Sequence, residues 1–336
     1  MTLPTRPLGR TDMEISSVGF GAWAIGGPDW KFGWGAQDDD ESVAAIVHAV
    51  ECGVNWVDTA AVYGLGHSEE VVALALRDLP PQDRPYVFTK CGLVWDPADR
   101  QAAAMRVGDP ASIRREVEQS LTRLRVERID LLQMHWPVND GTPVEDYWAA
   151  MLDLVTEGVI RAAGLSNHDV ELLALAEKVG HVESLQPPFS AINRAVAAAE
   201  LPWCAANDTG VIAYSPMQSG LLSGAFTEER AAGLPEDDWR AGHPNFTEPG
   251  LQRNLAVAEV MEQVALRHGV PTASVAVAWA LAWPGVTGAI VGARRPDQVD
   301  GWLPAAGLTL TAEDLAEIAE VIERTGAGEG PVRPGD

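Results

Sequence analysis

The strongest constraint on the fold is alternation. Between residues 17 and 324, short runs of β-like character take turns with longer runs of helical periodicity, and nothing between them reads as a linker. The strand-like runs are 17–21, 55–58, 86–90, 129–135, 160–165, 184–186, 211–214 and 288–291. The helix-like runs are 38–51, 68–79, 110–124, 144–156, 169–179, 201–207, 251–268, 272–283, a short one near Pro296, and 312–324. Asp38-Asp39-Asp40-Glu41 supplies an N-cap and an acidic first turn, and Pro80-Pro81 halts the second helix. Eight strands in strict alternation with helices predict an α/β chain forming a single (β/α)8 TIM barrel across residues 1–336. A small N-terminal β-hairpin precedes it, and a long Gly/Pro-bearing loop, 215–250, follows the seventh strand. Loops of that length are usually functional. A doubly wound sheet fits less well, because nothing divides the chain into halves. The tail from about residue 326 is expected to be mobile.

Composition removes several classes of function. With 24 basic and 48 acidic residues the formal charge is −24, which disfavours nonspecific binding to nucleic acid or to anionic lipid. A phosphorylated ligand would need a local positive site. The three cysteines, Cys52, Cys91 and Cys204, are widely spaced among apolar residues, which is the pattern of reduced thiols. The first eleven residues lack an apolar stretch of signal-peptide length, and the most apolar late stretch, 273–283, is cut short by Pro284. A cytoplasmic protein is expected.

In a barrel of this kind the active site lies at the C-terminal ends of the strands. Asp58, Lys90, His135, Ser166, Asn167, Gln186, Tyr214 and Gly292 to Arg294 all fall at those ends, and Tyr63 stands five residues past Asp58. Lys90 is one of only three lysines in the chain, against a much larger arginine count. A strand-end ammonium retained in such a sequence points to a group whose pKa responds to its surroundings. Each residue alone has a plain structural explanation: Asp58 as a turn cap, Tyr63 as packing, Lys90 as a snorkelling stem, His135 as a core imidazole. Together they bring four titratable types to one barrel mouth. Protonation of a carbonyl oxygen uses all four. Tyr63 donates, Lys90 stabilises the phenolate, Asp58 pairs with Lys90, and His135 bonds the substrate oxygen or helps move the proton.

Gly19-Phe20-Gly21-Ala22-Trp23-Ala24 fits the G-x-G-x-x-A dinucleotide pattern. That pattern requires a helix to begin within the glycines, and Gly26-Gly27-Pro28 with Trp30 and Trp34 forbids one. The motif reads as a barrel loop.

The motifs in order resemble the aldo-keto reductases over essentially the whole chain. They are Gly19-Phe20-Gly21, Asp58-Thr59-Ala60 with Tyr63-Gly64, Thr89-Lys90, Asp130-Leu131 to His135, Gly164-Leu165-Ser166-Asn167, Gln186, Tyr214-Ser215-Pro216, Gly220-Leu221-Leu222-Ser223-Gly224 and Gly292-Ala293-Arg294-Arg295-Pro296. The resemblance implies an NADPH-dependent barrel reductase, NADH being possible, with Asp58, Tyr63, Lys90 and His135 as the catalytic tetrad and Tyr63 as general acid. It also implies that Ser166, Asn167 and Gln186 grip the nicotinamide carboxamide while Tyr214 stacks on its ring. Ser215, Pro216, Gly220, Leu221 and Ser223 would follow the pyrophosphate, and Gly292, Ala293, Arg294 and Gln298 would hold the 2′-phosphate; Gly21 and Trp23 border the cofactor. The Gly-Ala-Arg-Arg form is closest to the bacterial branch similar to potassium-channel β-subunits. Two departures stand out: His168 where the family usually has an aromatic residue, and Asp300-Gly301-Trp302 in place of the usual Glu-Asn ending.

Trp23, Trp30, Trp34, Trp95 and Trp136 fall on or beside the predicted mouth, and aromatic walls suit sugar faces and hydrophobic carbonyl compounds alike. Broad aldehyde reduction is expected, with a sugar-derived or specialised-metabolite carbonyl as the small-molecule partner. No metal is expected: histidines are not paired at ligand spacing, and Lys90 would repel a cation. A redox-sensing subunit with little turnover and a Schiff-base lyase acting through Lys90 stay open as alternatives. Oligomeric state is not legible.

Overall fold

A computed structural model describes residues 3–28, 30–235 and 238–335. The chain opens with an antiparallel hairpin, β1 (Thr5–Pro7) and β2 (Glu14–Ser16), and then enters the barrel. The barrel strands are β3 (Val18–Gly21), β4 (Trp56–Asp58), β5 (Tyr86–Cys91), β8 (Ile129–Met134), β9 (Ile160–Ser166), β10 (Ser184–Gln186), β11 (Gly210–Tyr214) and β12 (Val286–Gly292). Between β5 and β8 a second small hairpin, β6 (Leu93–Val94) and β7 (Met105–Arg106), stands apart from the barrel. The eight strands form a closed barrel, sealed by parallel pairing of β12 with β3. The surrounding helices are α1 (Asp39–Glu51), α2 (His67–Asp78), α3 (Pro110–Leu124), α4 (Val144–Thr156), α5 (Val170–Val179), α6 (Glu200–Asn207), α7 (Glu228–Ala232), α8 (Gly250–His268), α9 (Thr272–Leu281), α10 (Pro296–Trp302) and α11 (Ala312–Thr325).

Every strand and main helix expected from the pattern is present, with ends shifted by a residue or two. The β6–β7 hairpin and α7 are additional; both are too short to set up a visible period. Helix starts follow local chemistry. The Asp38 carboxylate accepts the Asp40 and Glu41 N–H groups at the head of α1, and Thr311 with Asp314 forms a reciprocal capping box on α11; each such cap contributes about 1 kcal/mol.

Period-2 alternation builds the barrel interior in layers. Trp56, Phe88, Leu131, Ala162, Ile212 and Ile290 form an apolar cluster with Leu8, Met13 and Ile15 of the N-terminal hairpin, which therefore plugs one end. Two residues further along the strands, the same inward face carries Asp58, Lys90, Gln133 and Tyr214. The site rests on a sealed hydrophobic floor.

Gly19 and Gly21 find their reason here. A Cβ on Gly19 would collide with the Trp56 ring, and one on Gly21 would crowd Ile290. Close packing inside the barrel accounts for the glycine pair, and no helix starts within it, in line with rejection of the dinucleotide fingerprint.

The tail from residue 326, expected to be mobile, makes buried contacts. Ala327 is buried, and Arg194, itself only 2% exposed, reaches across to this segment. Its guanidinium donates to Pro331 O at 2.9 Å and to Ala327 O at 3.1 Å, and also to Ala191 O. Its partners are neutral carbonyl oxygens rather than a carboxylate, and burial lowers its pKa to about 10. Buried donors that need acceptors hold the segment in place. Among the described residues no helix is long and apolar enough to cross a membrane.

Candidate active site

The register of neighbouring strands brings the proton-handling groups together. Gly21 pairs with Asp58, Asp58 with Phe88, and Lys90 with Gln133. Lys90 Nζ lies 2.5 Å from Asp58 Oδ1, 2.9 Å from Thr59 O and 3.4 Å from the Tyr63 hydroxyl. The Lys90 and Asp58 side chains are 0% and 3% exposed, so the pair is fully desolvated. Such a pair is costly to break, because the survivor is left as an isolated buried charge. Tyr63 sits in a short 3-10 turn after β4, with its ring 5.6 Å from that of His135 and at a steep angle to it. Asp58, Tyr63, Lys90 and His135 thus converge as the sequence suggests.

Their proton affinities follow from burial. Desolvation, followed by the charge of Asp58, raises the Tyr63 phenol well above its ordinary value of 10.0. Desolvation lowers Lys90, and the attraction of Asp58 works against it. Burial, then the positive charges of Lys90 and Arg106, hold His135 well below 6.5. At neutral pH the site therefore holds a protonated phenol and a neutral imidazole. The Lys90 ammonium, expected to favour the Tyr63 phenolate, stands 3.4 Å from the hydroxyl, while burial favours the neutral phenol.

The second cluster lies at the ends of β9 and β11. Asn167 adopts a left-handed backbone (φ 62°). Its Nδ2 donates to His135 O at 2.9 Å and to Ser166 Oγ at 3.0 Å, while its Oδ1 accepts the Tyr214 hydroxyl at 2.8 Å. His168, in place of the usual aromatic residue, is buried behind it: Nδ1 meets Ser166 O at 2.8 Å and Nε2 meets the Tyr147 hydroxyl at 2.7 Å. Burial lowers its pKa to about 4, so it stays neutral and serves as a brace.

Gln186, expected to contact the nicotinamide carboxamide, also reaches the catalytic carboxylate. Its Nε2 turns inward, donating to Asp58 Oδ2 at 2.8 Å and to Gln133 Oε1 at 3.1 Å. A buried carboxylate with one oxygen on Lys90 needs a donor for the other, and Gln186 is the nearest amide.

In the loop after β11, Ser215, Gln218, Ser219 and Gly220 all have positive φ, while Pro216, Leu221 and Leu222 are buried as anchors. The Ser223 hydroxyl closes back on Gly220 O. Left-handed turns of this kind form concave nests of backbone N–H groups that favour anions.

Gly292 ends β12 and Ala293 follows it, and Gln298 Oε1 accepts the Arg294 N–H at 2.7 Å. The Arg294 guanidinium is already engaged, donating to Gln37 Oε1 at 2.5 Å, to Trp34 O at 3.2 Å and to Ala36 O. Arg295 pairs with Asp297 at the surface.

The expected tryptophans divide. Trp23 and Trp30 lie 6.4 Å and 6.3 Å from the Tyr63 ring, and Trp34 meets Trp23 edge-on at 5.2 Å. Trp95 packs with that group under the Arg123 guanidinium, whereas Trp136 is covered by Arg106 of the β6–β7 hairpin.

Three residues escape the sequence reading. Trp239, from the 215–250 loop, stacks on Trp23 at 6.5 Å; its segment is aperiodic and offered no signal. Glu69, fully buried, accepts Thr89 Oγ1 and Arg123 Nε, both at 2.6 Å. Glu116 accepts the Gly92 N–H at 2.8 Å. It lies on the buried face of α3 with Ile113, Val117, Ser120 and Leu124, and a carboxylate in that stripe was a readable clue.

A sequence profile described as the aldo/keto reductase family matches residues 17–323. The chain belongs to that family. Among its relatives, the aldo-keto reductase YhdN of Bacillus subtilis (strain 168) is 34% identical, the match covering 94% of this chain and 92% of the relative. An NADH-specific methylglyoxal reductase of Escherichia coli (strain K12) is 33% identical, over 95% and 99% of the two chains. Among solved structures, the glycerol dehydrogenase AKR11B4 of Gluconobacter oxydans superimposes with a TM-score of 0.88 at 37% identity, covering 98% of each chain. This aldo-keto reductase is therefore an oxidoreductase on a (β/α)8 barrel, of a family that uses nicotinamide cofactors.

Proposed function

We propose that this aldo-keto reductase reduces small aldehydes and ketones to alcohols with NADPH, Tyr63 delivering the proton. The observation that carries the reading is the buried chain of contacts from Asp58 through Lys90 to the Tyr63 hydroxyl, facing His135 above an apolar floor. The residues present fit the cofactor. Asn167 and Ser166 offer an amide and a hydroxyl to a carboxamide, the Tyr214 ring offers a flat face, and the left-handed turns at 215–220 offer backbone donors to a diphosphate. When bound, the nicotinamide supplies the hydride equivalent. The protein's own part is to hold the carbonyl oxygen between Tyr63 and His135, to exclude water with the tryptophans, and to deliver the Tyr63 proton as negative charge develops on that oxygen. A nascent alkoxide is far more basic than a phenolate, so a phenol with a raised pKa remains a competent acid in this direction. Lys90 then stabilises the phenolate left behind.

The engagement of Arg294 supports a modest preference for NADPH. A 2′-phosphate there must displace bonds to Gln37, Trp34 and Ala36, which offsets part of the gain, so NADH is used as well. The Escherichia coli relative is named for NADH and methylglyoxal, and the Gluconobacter relative for glycerol. Both names favour short polar carbonyl compounds over bulky ones. Oxidation of NADPH and NADH should be followed with methylglyoxal, glyceraldehyde, dihydroxyacetone and nitrobenzaldehyde, for the protein and for Tyr63→Phe. Full activity in Tyr63→Phe would sink the assignment. Cofactor binding without turnover of any compound would favour a redox-sensing subunit.

A further inference from the structure

We propose a divalent metal site for a Zn²⁺-class ion, formed by His48, Cys52 and Asp300 on the outer face of the barrel where α1 meets α10. His48 lies in the last turn of α1 and Cys52 is its C-cap residue, so the two side chains share one helix face at i, i+4 spacing. Asp300 comes from α10. His48 Nε2 lies 2.8 Å from Asp300 Oδ1 and 3.9 Å from Cys52 Sγ, and one ligand atom from each residue falls within 4.8 Å of the other two.

A surface histidine–aspartate pair does not by itself account for the Cys52 thiol that stands beside the same ring nitrogen. The same ring nitrogen faces both the carboxylate and the thiol. If Nε2 carries the proton it serves Asp300 and cannot accept from the thiol. If it does not, it accepts from the thiol and sets its lone pair against that of the carboxylate. Three possible ligand atoms converge, and a cation at their centre would engage all three at once.

The ligand set is that of a borderline-soft ion: one thiolate, one imidazole and one carboxylate, with a fourth position open to water. Tetrahedral Zn²⁺ with these ligands places the donor atoms roughly 3.3–3.6 Å apart. The His48–Asp300 and His48–Cys52 spacings of 2.8 Å and 3.9 Å lie on either side of that range. The His48 and Asp300 side chains are 31% and 63% exposed, leaving an open path for the ion. Binding replaces the Cys52 S–H bond by a metal–sulfur bond and releases one proton to solvent, with no redox change.

The location gives the ion something to hold. The α1–α10 pair frames Arg294: Gln37 precedes α1, and Gln298 lies two residues before Asp300 on α10. An ion between the helices would fix both partners of that arginine. This proposal does not depend on the reductase reading, since its readouts need no turnover.

Titration of the metal-free, tag-free protein with Co²⁺ tests it. One equivalent should bind and produce thiolate-to-cobalt charge-transfer absorption. Zn²⁺ should displace the cobalt, slow alkylation of Cys52 and raise the melting temperature. Cys52→Ser should abolish the charge-transfer band and weaken Zn²⁺ binding by roughly tenfold or more while leaving basal carbonyl reduction unchanged; His48→Gln should weaken binding comparably. Absence of a stoichiometric cobalt complex, or a band that survives Cys52→Ser, overturns the site.

Discussion

Glu116 Oε2 accepts the Gly92 N–H at 2.8 Å, clamping the backbone two residues beyond Lys90. Gly92 sits at a φ of 85° against Met134, where a Cβ would collide. Burial raises the Glu116 carboxyl from 4.5 to about 7. The folded chain then keeps a proton that the unfolded chain releases, so this stabilisation is complete below pH 4.5 and is lost as pH rises to about 7. Glu116→Gln cannot titrate. Its stability relative to the parent protein should rise from about pH 4.5 to about pH 7 by up to about 3 kcal/mol and then level off, read by urea unfolding. A difference that stays constant with pH would show that this carboxyl does not titrate in that window.

The Lys90–Asp58 pair should behave as a desolvated unit. Lys90→Met leaves a buried carboxylate with its amide partners only, and a loss of about 3–5 kcal/mol is expected. Adding Asp58→Asn should recover part of that loss while reductase activity stays low. A single-variant cost below about 1 kcal/mol, the range of an exposed pair, would contradict the burial.

The raised Tyr63 pKa makes the two reaction directions differ with pH. Reduction uses the phenol, which persists through neutrality and beyond pH 10, so its rate should stay level across the neutral range. Alcohol oxidation needs the phenolate, and its rate should climb steadily into alkali. Initial rates with matched alcohol and aldehyde pairs would check this. Oxidation that plateaus near pH 7 would place the phenol far lower than burial allows.

Trp239 closes on Trp23 from the loop after β11. Aromatic pairs are worth about 0.5–1.5 kcal/mol, so Trp239→Ala should raise the aldehyde KM roughly 2–10-fold with kcat little changed. Equal losses in kcat and in kcat/KM would mean that the ring acts on the chemical step instead.

Arg294→Ala should weaken NADPH by roughly tenfold or more, the scale of one charged hydrogen bond or two, and leave NADH within about threefold. Comparable losses for both cofactors would assign Arg294 to holding the 34–37 loop alone.

The barrel and the central four residues were readable because they depend on local regularities. Alternation located the strands, and period 2 carried Asp58, Lys90 and His135 to one mouth. What the pattern could not supply was who faces whom across the barrel. Gln186 turns to Asp58 only because strands distant in sequence bring its amide to an unsatisfied carboxylate. Trp239 lies in a segment whose path is set by contacts with Trp23 and Phe246, with no periodicity of its own. The net direction of the Tyr63 shift depended on how much water the fold removes, which charge counting along a chain does not reveal.

Arg194 has a consequence for the order of events during synthesis. Apart from the neighbouring Ala191 O, the carbonyl oxygens that satisfy it belong to Ala327 and Pro331, which are made 133 and 137 residues later. Until that stretch leaves the ribosome, the turn after β10 carries a cation with nowhere dry to go. The nascent barrel should therefore stay loose at this seam, offering a recognition point for chaperones, and lock only when residues 327–331 arrive.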